Sequence, residues 1–145
     1  SVHFSSLTDH WKTPDSVFKQ LNDEFQFDFD PCPLRATFDG LTIPWGKSTF
    51  VNPPYSQLKL WCKKAYEESL LGKKVVMLIP SRTDTAAWHD YCMKAKEIRF
   101  IRGRLKFGDS KNSAPFPSAI INLAIRATDK AKRNLDAPMC ITPLA

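Results

Sequence analysis

The sequence predicts an α/β fold: one domain with a mostly parallel sheet and an antiparallel strand at its C-terminal side. Strand-like and helix-like patterns alternate up to about residue 95, which is the order that builds parallel sheets. Residues 74–79 form an apolar run that is typical of a strand covered on both faces. Strand patterns at 98–107 and 119–127 follow each other without a helix and predict a mixed edge.

The first elements can be justified in chain order. Thr13-Pro14-Asp15 is typical of a helix start, with an N-cap, a proline at the first helical position and an acid in the first turn. Helical apolar spacing continues to Phe25. Strict alternation over residues 25–29 predicts a strand that ends at Asp30. A second strand is predicted at 48–51.

The sequence predicts two further helices, one domain and a C-terminal tail. Helices are predicted at about 57–71, stopped by Gly72, and at about 84–95. Residues 1–128 are predicted to form the domain. Residues 129–145 are polar and then interrupted by proline, which predicts a C-terminal tail.

Composition excludes several classes of protein. The chain is 43% hydrophobic and 25% charged, as in globular proteins and unlike disordered ones. No apolar run approaches the roughly 20 residues of a membrane helix, and neither common Gly-rich nucleotide loop is present. The four cysteines are spread without metal-ligand spacing, so we expect reduced thiols and no metal site; they are Cys32, Cys62, Cys92 and Cys140.

The net charge of +6 is unevenly distributed along the chain. Residues 1–40 carry seven acids and three bases, whereas residues 99–133 carry nine bases and two acids. This asymmetry indicates that a polyanion lies across the C-terminal part. A solvated basic face is an equally good interpretation of the charge alone.

The sharpest motif is Asn52-Pro53-Pro54-Tyr55, directly after a predicted buried strand. The Asn52 side-chain oxygen and a backbone carbonyl fixed by the two prolines can both accept hydrogen bonds from a planar exocyclic amine. Such bonds draw the nitrogen towards tetrahedral geometry and aim its lone pair at an electrophile. Tyr55 offers a ring for base stacking. The alternative is a proline turn that merely ends a strand.

The chain resembles the small phage and prophage DNA adenine-N6 methyltransferases of the Dam type, which use S-adenosyl-L-methionine. The likeness extends from about Trp11 to Ile125. The segments that carry it are Trp11-Lys12-Thr13-Pro14, Asp28-Phe29-Asp30-Pro31-Cys32, Asp39-Gly40-Leu41 with Trp45, Phe50 to Tyr55, Arg82-Thr83-Asp84-Thr85 with Trp88, Gly103-Arg104-Leu105-Lys106-Phe107 and Pro115-Phe116-Pro117-Ser118.

The resemblance implies a trimmed Rossmann-like methyltransferase domain, acting on flipped-out adenine in double-stranded DNA in the bacterial cytoplasm. The catalytic residues it implies are Asn52, Pro53, Pro54 and Tyr55. The cofactor-binding residues it implies are Trp11 and Thr13 (methionine moiety), Asp30, Pro31 and Cys32 (loop after the first strand), Asp39 and Leu41 (adenosine), and Asn52.

Residues expected to bind the substrate are Tyr55, Arg82, Arg104, Lys106, Lys111 and Phe116. Most of them lie in the basic stretch 103–118, which is interpreted as a DNA-contacting loop. For Arg82 a phosphate contact and a place in a simple helix start are equally supported.

Other activities stay open at this point. The usual Gly-rich cofactor loop is absent, and only 21 residues separate Asp30 from Asn52, so the sheet is expected to be trimmed. Methylation of RNA adenine or of another amino group is the nearest alternative. A DNA-binding module without catalysis is an alternative from another class.

Overall fold

The computed structural model describes residues 11–108, 112–124 and 140–144, the last of these as backbone only. These residues form a five-stranded sheet with helices on both faces. The helices are α1 (Asp15–Phe25), α2 (Leu58–Ser69) and α3 (Ala86–Asp90), and the strands are β1 (Ser48–Val51), β2 (Lys74–Pro80), β3 (Glu97–Ile101), β4 (Ser118–Asn122) and β5 (Cys140–Leu144). Among the described helices, none has both the length and the apolar character needed to cross a lipid bilayer.

The sheet is mixed, with the strand order β1-β2-β4-β3-β5. Strand β1 is parallel to β2, and β3 is parallel to β5. Strand β4 is antiparallel to both of its neighbours. Four strands therefore run in one direction, as a mostly parallel sheet requires. The sequence predicted the antiparallel strand at the edge of the sheet, and this is wrong, because β4 lies at the centre.

Apolar side chains cover both faces of the sheet because successive residues of a strand point to opposite sides. Val75, Met77 and Ile79 of β2 pack under α2 and α3. Val76 and Leu78 face α1 and the segment between β3 and β4. Two-sided burial explains the uninterrupted apolar character of β2.

The predicted strand at 25–29 is reduced to one parallel bridge between Phe29 and Thr49. Helix α1 continues through Phe25, and Gln26 then takes the left-handed conformation with φ 52°. At the other end, Asp30 Oδ1 accepts the Cys32 N–H at 2.8 Å and turns the chain away. Local turns at both ends therefore shorten the pairing with β1.

Two other predicted elements are shorter than expected. Helix α3 begins only after Thr85, whose hydroxyl accepts the Trp88 N–H at 3.3 Å, and it ends at Asp90. The strand predicted at 98–107 ends at Ile101 because the chain turns at Gly103, where φ is 75°.

The predicted tail contains a strand that sequence analysis missed. Residues 140–144 pair with β3 as β5 at the edge of the sheet. Pro143 is compatible with this position, since an edge strand can leave one side of its backbone unpaired. The predicted strand residues 125–127 lie outside the described residues.

Candidate active site

The Asn-Pro-Pro-Tyr motif lies where β1 ends, at the same edge of the sheet as the end of the parallel strand β2. All four motif residues are buried, and Tyr55 opens a short 3₁₀ turn that leads into α2. The Pro54 carbonyl accepts the Gln57 N–H at 3.2 Å, which closes that turn. Open α/β sheets bind ligands at the carboxyl ends of their parallel strands, so the motif lies where a ligand is expected.

Asn52 is held by hydrogen bonds at both ends of its side-chain amide. Its Nδ2 donates to the Trp11 carbonyl and, at 3.0 Å, to Thr13 Oγ1. Its Oδ1 accepts the Tyr55 hydroxyl at 3.2 Å. The prediction that Thr13 caps α1 is therefore wrong: the helix starts at Asp15 without a side-chain cap, and the Thr13 hydroxyl bonds to Asn52 instead.

The ring of Tyr55 belongs to a group of four rings in mutual contact. We call this group the aromatic cluster: Trp11, Tyr55, Phe107 and Phe116. Phe116 meets the Tyr55 ring edge-on at 5.2 Å, and Trp11 lies 5.8 Å from Phe107 and 6.1 Å from Phe116. Tyr55 is only 7% exposed as a result. Stacking of a base on Tyr55 stays a prediction, and it requires Phe116 to move away from that ring.

A cavity of about 380 Å³ opens beside Asn52, within the usual range of small-molecule sites. The structure brings four predicted site residues together in its wall: Thr13, Asp30, Cys32 and Asn52. Sequence analysis missed five others, which are Lys12, Asp15, Phe18, Leu34 and Phe50. Helical spacing places Phe18 on α1, but only the structure shows that its ring lines the cavity, where it is 38% exposed.

Asp30 has an unusual electrostatic position at this cavity. The residue as a whole is exposed, yet packing around its carboxyl group removes enough water to raise its pKa to about 6. The hydrogen bond from the Cys32 N–H acts in the opposite direction but is the smaller effect. Asp30 therefore changes charge close to neutral pH.

The other predicted cofactor residues do not line this cavity. Asp39 Oδ1 accepts the Leu41 N–H at 3.0 Å, and this hydrogen bond closes a local backbone turn. Pro31 is buried so tightly against Gly40 that a Cβ on Gly40 would lie 1.9 Å from the Pro31 carbonyl oxygen. Trp11 belongs to the aromatic cluster. Contacts of these residues with a cofactor stay predictions.

The residues between β3 and β4, 102–117, are called the basic loop. Arg104 and Lys106 are exposed in it, and Arg104 Nη1 donates to the Ala114 carbonyl at 3.4 Å. Lys111 lies outside the described residues. Arg82 is exposed just after β2, at the edge of the sheet that carries Asn52.

Arg99, a base of β3 that precedes the basic loop, is paired with carboxylates. Arg99 makes two hydrogen bonds to the carboxylate of Glu24 on α1, at 2.5 and 2.6 Å, and a third to Glu97 at 2.9 Å. The bond from Arg99 lowers the pKa of Glu24. This network joins α1 to the sheet, and the Arg99 guanidinium is paired with carboxylates inside the fold.

The fold and the site define an α/β protein in which an Asn-Pro-Pro-Tyr motif ends a strand beside a ligand-sized cavity. The chain belongs to the DNA N-6-adenine-methyltransferase (Dam) family, whose sequence model matches residues 1–134. No solved structure matches the chain.

Two relatives, both described as DNA N-6-adenine-methyltransferases, come from bacteriophages. The protein of Haemophilus phage HP1 (strain HP1c1) is 31% identical over an alignment of 107 residues, which covers 64% of this chain and 62% of the relative. The protein of Escherichia phage T1 is 28% identical over an alignment of 113 residues, which covers 69% of this chain and 48% of the relative. The matched region thus spans less than two thirds of each relative.

Proposed function

We propose that this chain transfers a methyl group from S-adenosyl-L-methionine to the N6 amino group of adenine in DNA. The observation that carries the proposal is the side chain of Asn52, fixed at the end of β1 and lining the cavity. The names of the family and of the two phage relatives support the same reaction.

The cavity suits a cationic cofactor of this kind. Its wall is lined by two acidic residues, Asp15 and Asp30, and by one base, Lys12, so the groups that attract positive charge outnumber the one that repels it. The rings of Phe18 and Phe50 also line the wall and can pack on a purine. We assign Asp30 and Asn52, which both line this cavity, to cofactor binding. When bound, the cofactor supplies an electrophilic methyl group on a sulfonium sulfur.

Asn52 and Pro53 prepare the amine for attack. Asn52 Oδ1 and the Pro53 carbonyl accept hydrogen bonds from the two N6 hydrogens, which reduces conjugation of the nitrogen lone pair with the purine ring. With the amine held in this way, its lone pair would point at the methyl group that the bound cofactor would supply, and the sulfur would keep the electron pair of the broken carbon–sulfur bond as a neutral thioether. The surplus proton leaves N6 for water afterwards, so no strong base is needed.

The target adenine has to leave the duplex to reach Asn52. Unstacking and unpairing cost a few kcal/mol. Stacking on Tyr55 returns about 1–3 kcal/mol, and phosphate contacts of Arg82, Arg104 and Lys106 add binding that is independent of sequence. Since phosphate contacts carry no sequence information, we expect a short target sequence.

The test is methyl transfer from labelled cofactor to unmethylated DNA and RNA, followed by digestion to nucleosides and identification by mass. The proposal expects N6-methyladenine in DNA that disappears in Asn52→Ala. Asn22→Ala is the matched control, since Asn22 also bonds to the backbone (the Phe27 N–H, 2.9 Å) but lies away from the motif.

Two results would overturn the proposal. Label found only in RNA or in cytosine would replace the substrate. Absence of label together with absence of cofactor binding would instead favour a DNA-binding module without catalysis.

A further inference from the structure

We infer that Thr13 is a positioning residue: its hydroxyl holds the Asn52 amide in the orientation that the Trp11 carbonyl sets, with Oδ1 left for the substrate amine. The inference rests on the proposed function and adds a residue role to it. It departs from the sequence-based expectation that Thr13 contacts the methionine moiety of the cofactor.

The hydrogen bonds determine the orientation of the amide. The two hydrogens of Asn52 Nδ2 are donated to the Trp11 carbonyl and to Thr13 Oγ1, the latter at 3.0 Å. A backbone carbonyl can only accept a hydrogen bond, so Oδ1 cannot take the place of Nδ2 without setting two acceptors against each other. Asn52 is 4% exposed, and water is therefore a poor substitute for these partners.

The orientation matters because the two ends of an asparagine amide have opposite chemistry. Only Oδ1 can accept a hydrogen from the target amine, whereas Nδ2 would compete for the nitrogen lone pair. In this structure Oδ1 accepts the Tyr55 hydroxyl at 3.2 Å. A donor thus already bonds to the atom that the amine is proposed to use, so the amine has to share Oδ1 with the Tyr55 hydroxyl or replace it.

Residues 11–14, which we call the leading segment, are themselves anchored to the basic loop. The Lys12 carbonyl accepts the Gly108 N–H at 3.0 Å. The Trp11 ring packs against Phe107 and Phe116 of the same loop. Three consecutive residues of the segment therefore contact either Asn52 or the basic loop, and Thr13 supplies the one side-chain hydrogen bond among these contacts.

The test compares Thr13→Val, which keeps the branched shape without the hydroxyl, with Thr13→Ser, which keeps the hydroxyl. We expect Thr13→Val to lower the single-turnover rate at saturating cofactor and DNA by about tenfold, as for one lost positioning hydrogen bond. Thr13→Ser should restore the rate to within about threefold. Neither variant should change the KM for DNA or the Kd for the cofactor.

Thr49→Val is the matched control, since Thr49 Oγ1 also makes a hydrogen bond at the β1 edge (to the Gly46 carbonyl, 3.3 Å) without touching Asn52. A second readout needs no activity. In the cofactor-free protein the Asn52 side-chain ¹⁵N–¹H signals should exchange with water about tenfold faster in Thr13→Val than in the wild type or in Thr49→Val. Thr13→Ala serves for both measurements if the valine variant does not fold.

Retention of the wild-type rate by Thr13→Val overturns the inference. So does a variant that loses cofactor affinity but reacts normally at saturation, because Thr13 then acts on the cofactor. If the wild type itself makes no N6-methyladenine, the proposed function fails instead, and the exchange of the Asn52 amide still decides whether Thr13 holds it.

Discussion

Tyr55 has two contacts, one through its ring and one through its hydroxyl, and substitutions at this position can separate their effects. Its ring is covered edge-on by Phe116 at 5.2 Å, and its hydroxyl donates to Asn52 Oδ1 at 3.2 Å. A base that stacks on the ring displaces Phe116, and an amine that bonds to Oδ1 shares or replaces the hydroxyl. Without substrate, the ring thus packs against Phe116 and the hydroxyl bonds to Asn52.

We expect Tyr55→Phe to keep methyl transfer within about fivefold of the wild type, because the hydroxyl is a replaceable donor worth only about 1 kcal/mol. Tyr55→Ala should lower kcat/KM for DNA by about tenfold to a hundredfold, since base stacking contributes about 1–3 kcal/mol. Steady-state transfer to one duplex measures both. Equal losses in the two variants would assign the effect to the hydroxyl and contradict base stacking.

The charge of Asp30 predicts how cofactor binding depends on pH. Its folded-state pKa of about 6 means that the carboxyl group is ionised above that pH and neutral below it. A carboxylate attracts a cationic cofactor and its acid does not, so binding should weaken as the pH falls from 7.5 through 6 to 5. Calorimetric titration of S-adenosyl-L-methionine across this range is the measurement.

In Asp30→Asn the pH dependence should disappear, with affinity at pH 7.5 lower by about tenfold, the equivalent of one pKa unit of interaction. Asp23→Asn is the control, as this carboxylate is exposed on α1 and paired with Lys19. An unchanged affinity in Asp30→Asn would remove Asp30 from the cofactor site.

Single residues also show what sequence reasoning can reach. The motif predicted the position of Asn52, since a polar residue directly after an apolar strand has to lie at the end of the sheet. Its partners at Trp11 and Thr13 are 41 and 39 residues away, and no local pattern connects them. For Thr13 the pattern predicted a helix cap, and the tertiary contact with Asn52 took precedence.

At the scale of elements, one buried carboxylate joins α2 to the loop before β1. Glu68 is 3% exposed and accepts hydrogen bonds from the Trp45 N–H at 2.7 Å and from Lys73 at 3.0 Å, while Lys64 lies 3.3 Å away. Burial alone would raise its pKa, but the bonds from Lys73, Trp45 and Lys64 outweigh burial and lower it. The loop that leads into β1 is thereby fixed to α2.

Glu68→Ala should reduce the free energy of unfolding by about 3 kcal/mol, because it leaves a buried N–H and two partly buried ammonium groups without their partner. Chemical denaturation measures the change. Glu67→Ala, on the neighbouring exposed position of α2, should leave stability nearly unchanged.

The stabilisation by Glu68 also has a predicted pH dependence. Because its folded-state pKa is lowered, the contribution is complete above the ordinary glutamate pKa of 4.5 and is lost as the pH falls through the folded value. A Glu68→Ala deficit that stays constant from pH 7 down to pH 3 would contradict this role of the ionised carboxylate.

Elements were predictable where one strong pattern decided them. Strand β1 has the predicted bounds, and β2 differs from its prediction by one residue, because continuous apolar runs flanked by turns leave few alternatives. Residues 25–29 alternate in the way that is typical of a strand, but Phe25 is the last residue of helix α1. Strand β5 was missed because a short, proline-containing segment has no pattern that distinguishes an edge strand from a tail.

The whole molecule separates its functions between the two faces of the sheet. Helices α2 and α3 pack on one face, and α1, the basic loop and the aromatic cluster gather on the other, next to the cavity. The net charge of +6 is therefore less informative than the position of exposed bases. Arg99 is committed to Glu24 and Glu97, whereas Arg104 and Lys106 are exposed in the basic loop.

This arrangement predicts how DNA binding responds to salt. Each phosphate contact contributes about 0.9 to the slope of log affinity against log salt concentration. If Arg104 and Lys106 both contact phosphates, their joint replacement by alanine should reduce the slope by about 1.8. It should also weaken binding to every DNA sequence to a similar extent, because phosphate contacts carry no sequence information.

The control is the double change Lys59→Ala and Lys63→Ala, which removes the same charge from the exposed surface of α2, on the opposite face of the sheet. Fluorescence anisotropy with one duplex between 50 and 200 mM salt, a range over which phosphate contacts change affinity strongly, measures both slopes. If the loop binds DNA, only the loop variant changes the slope. Equal changes would mean that the positive charge of the whole molecule attracts DNA, and the basic loop would then have no special part in binding it.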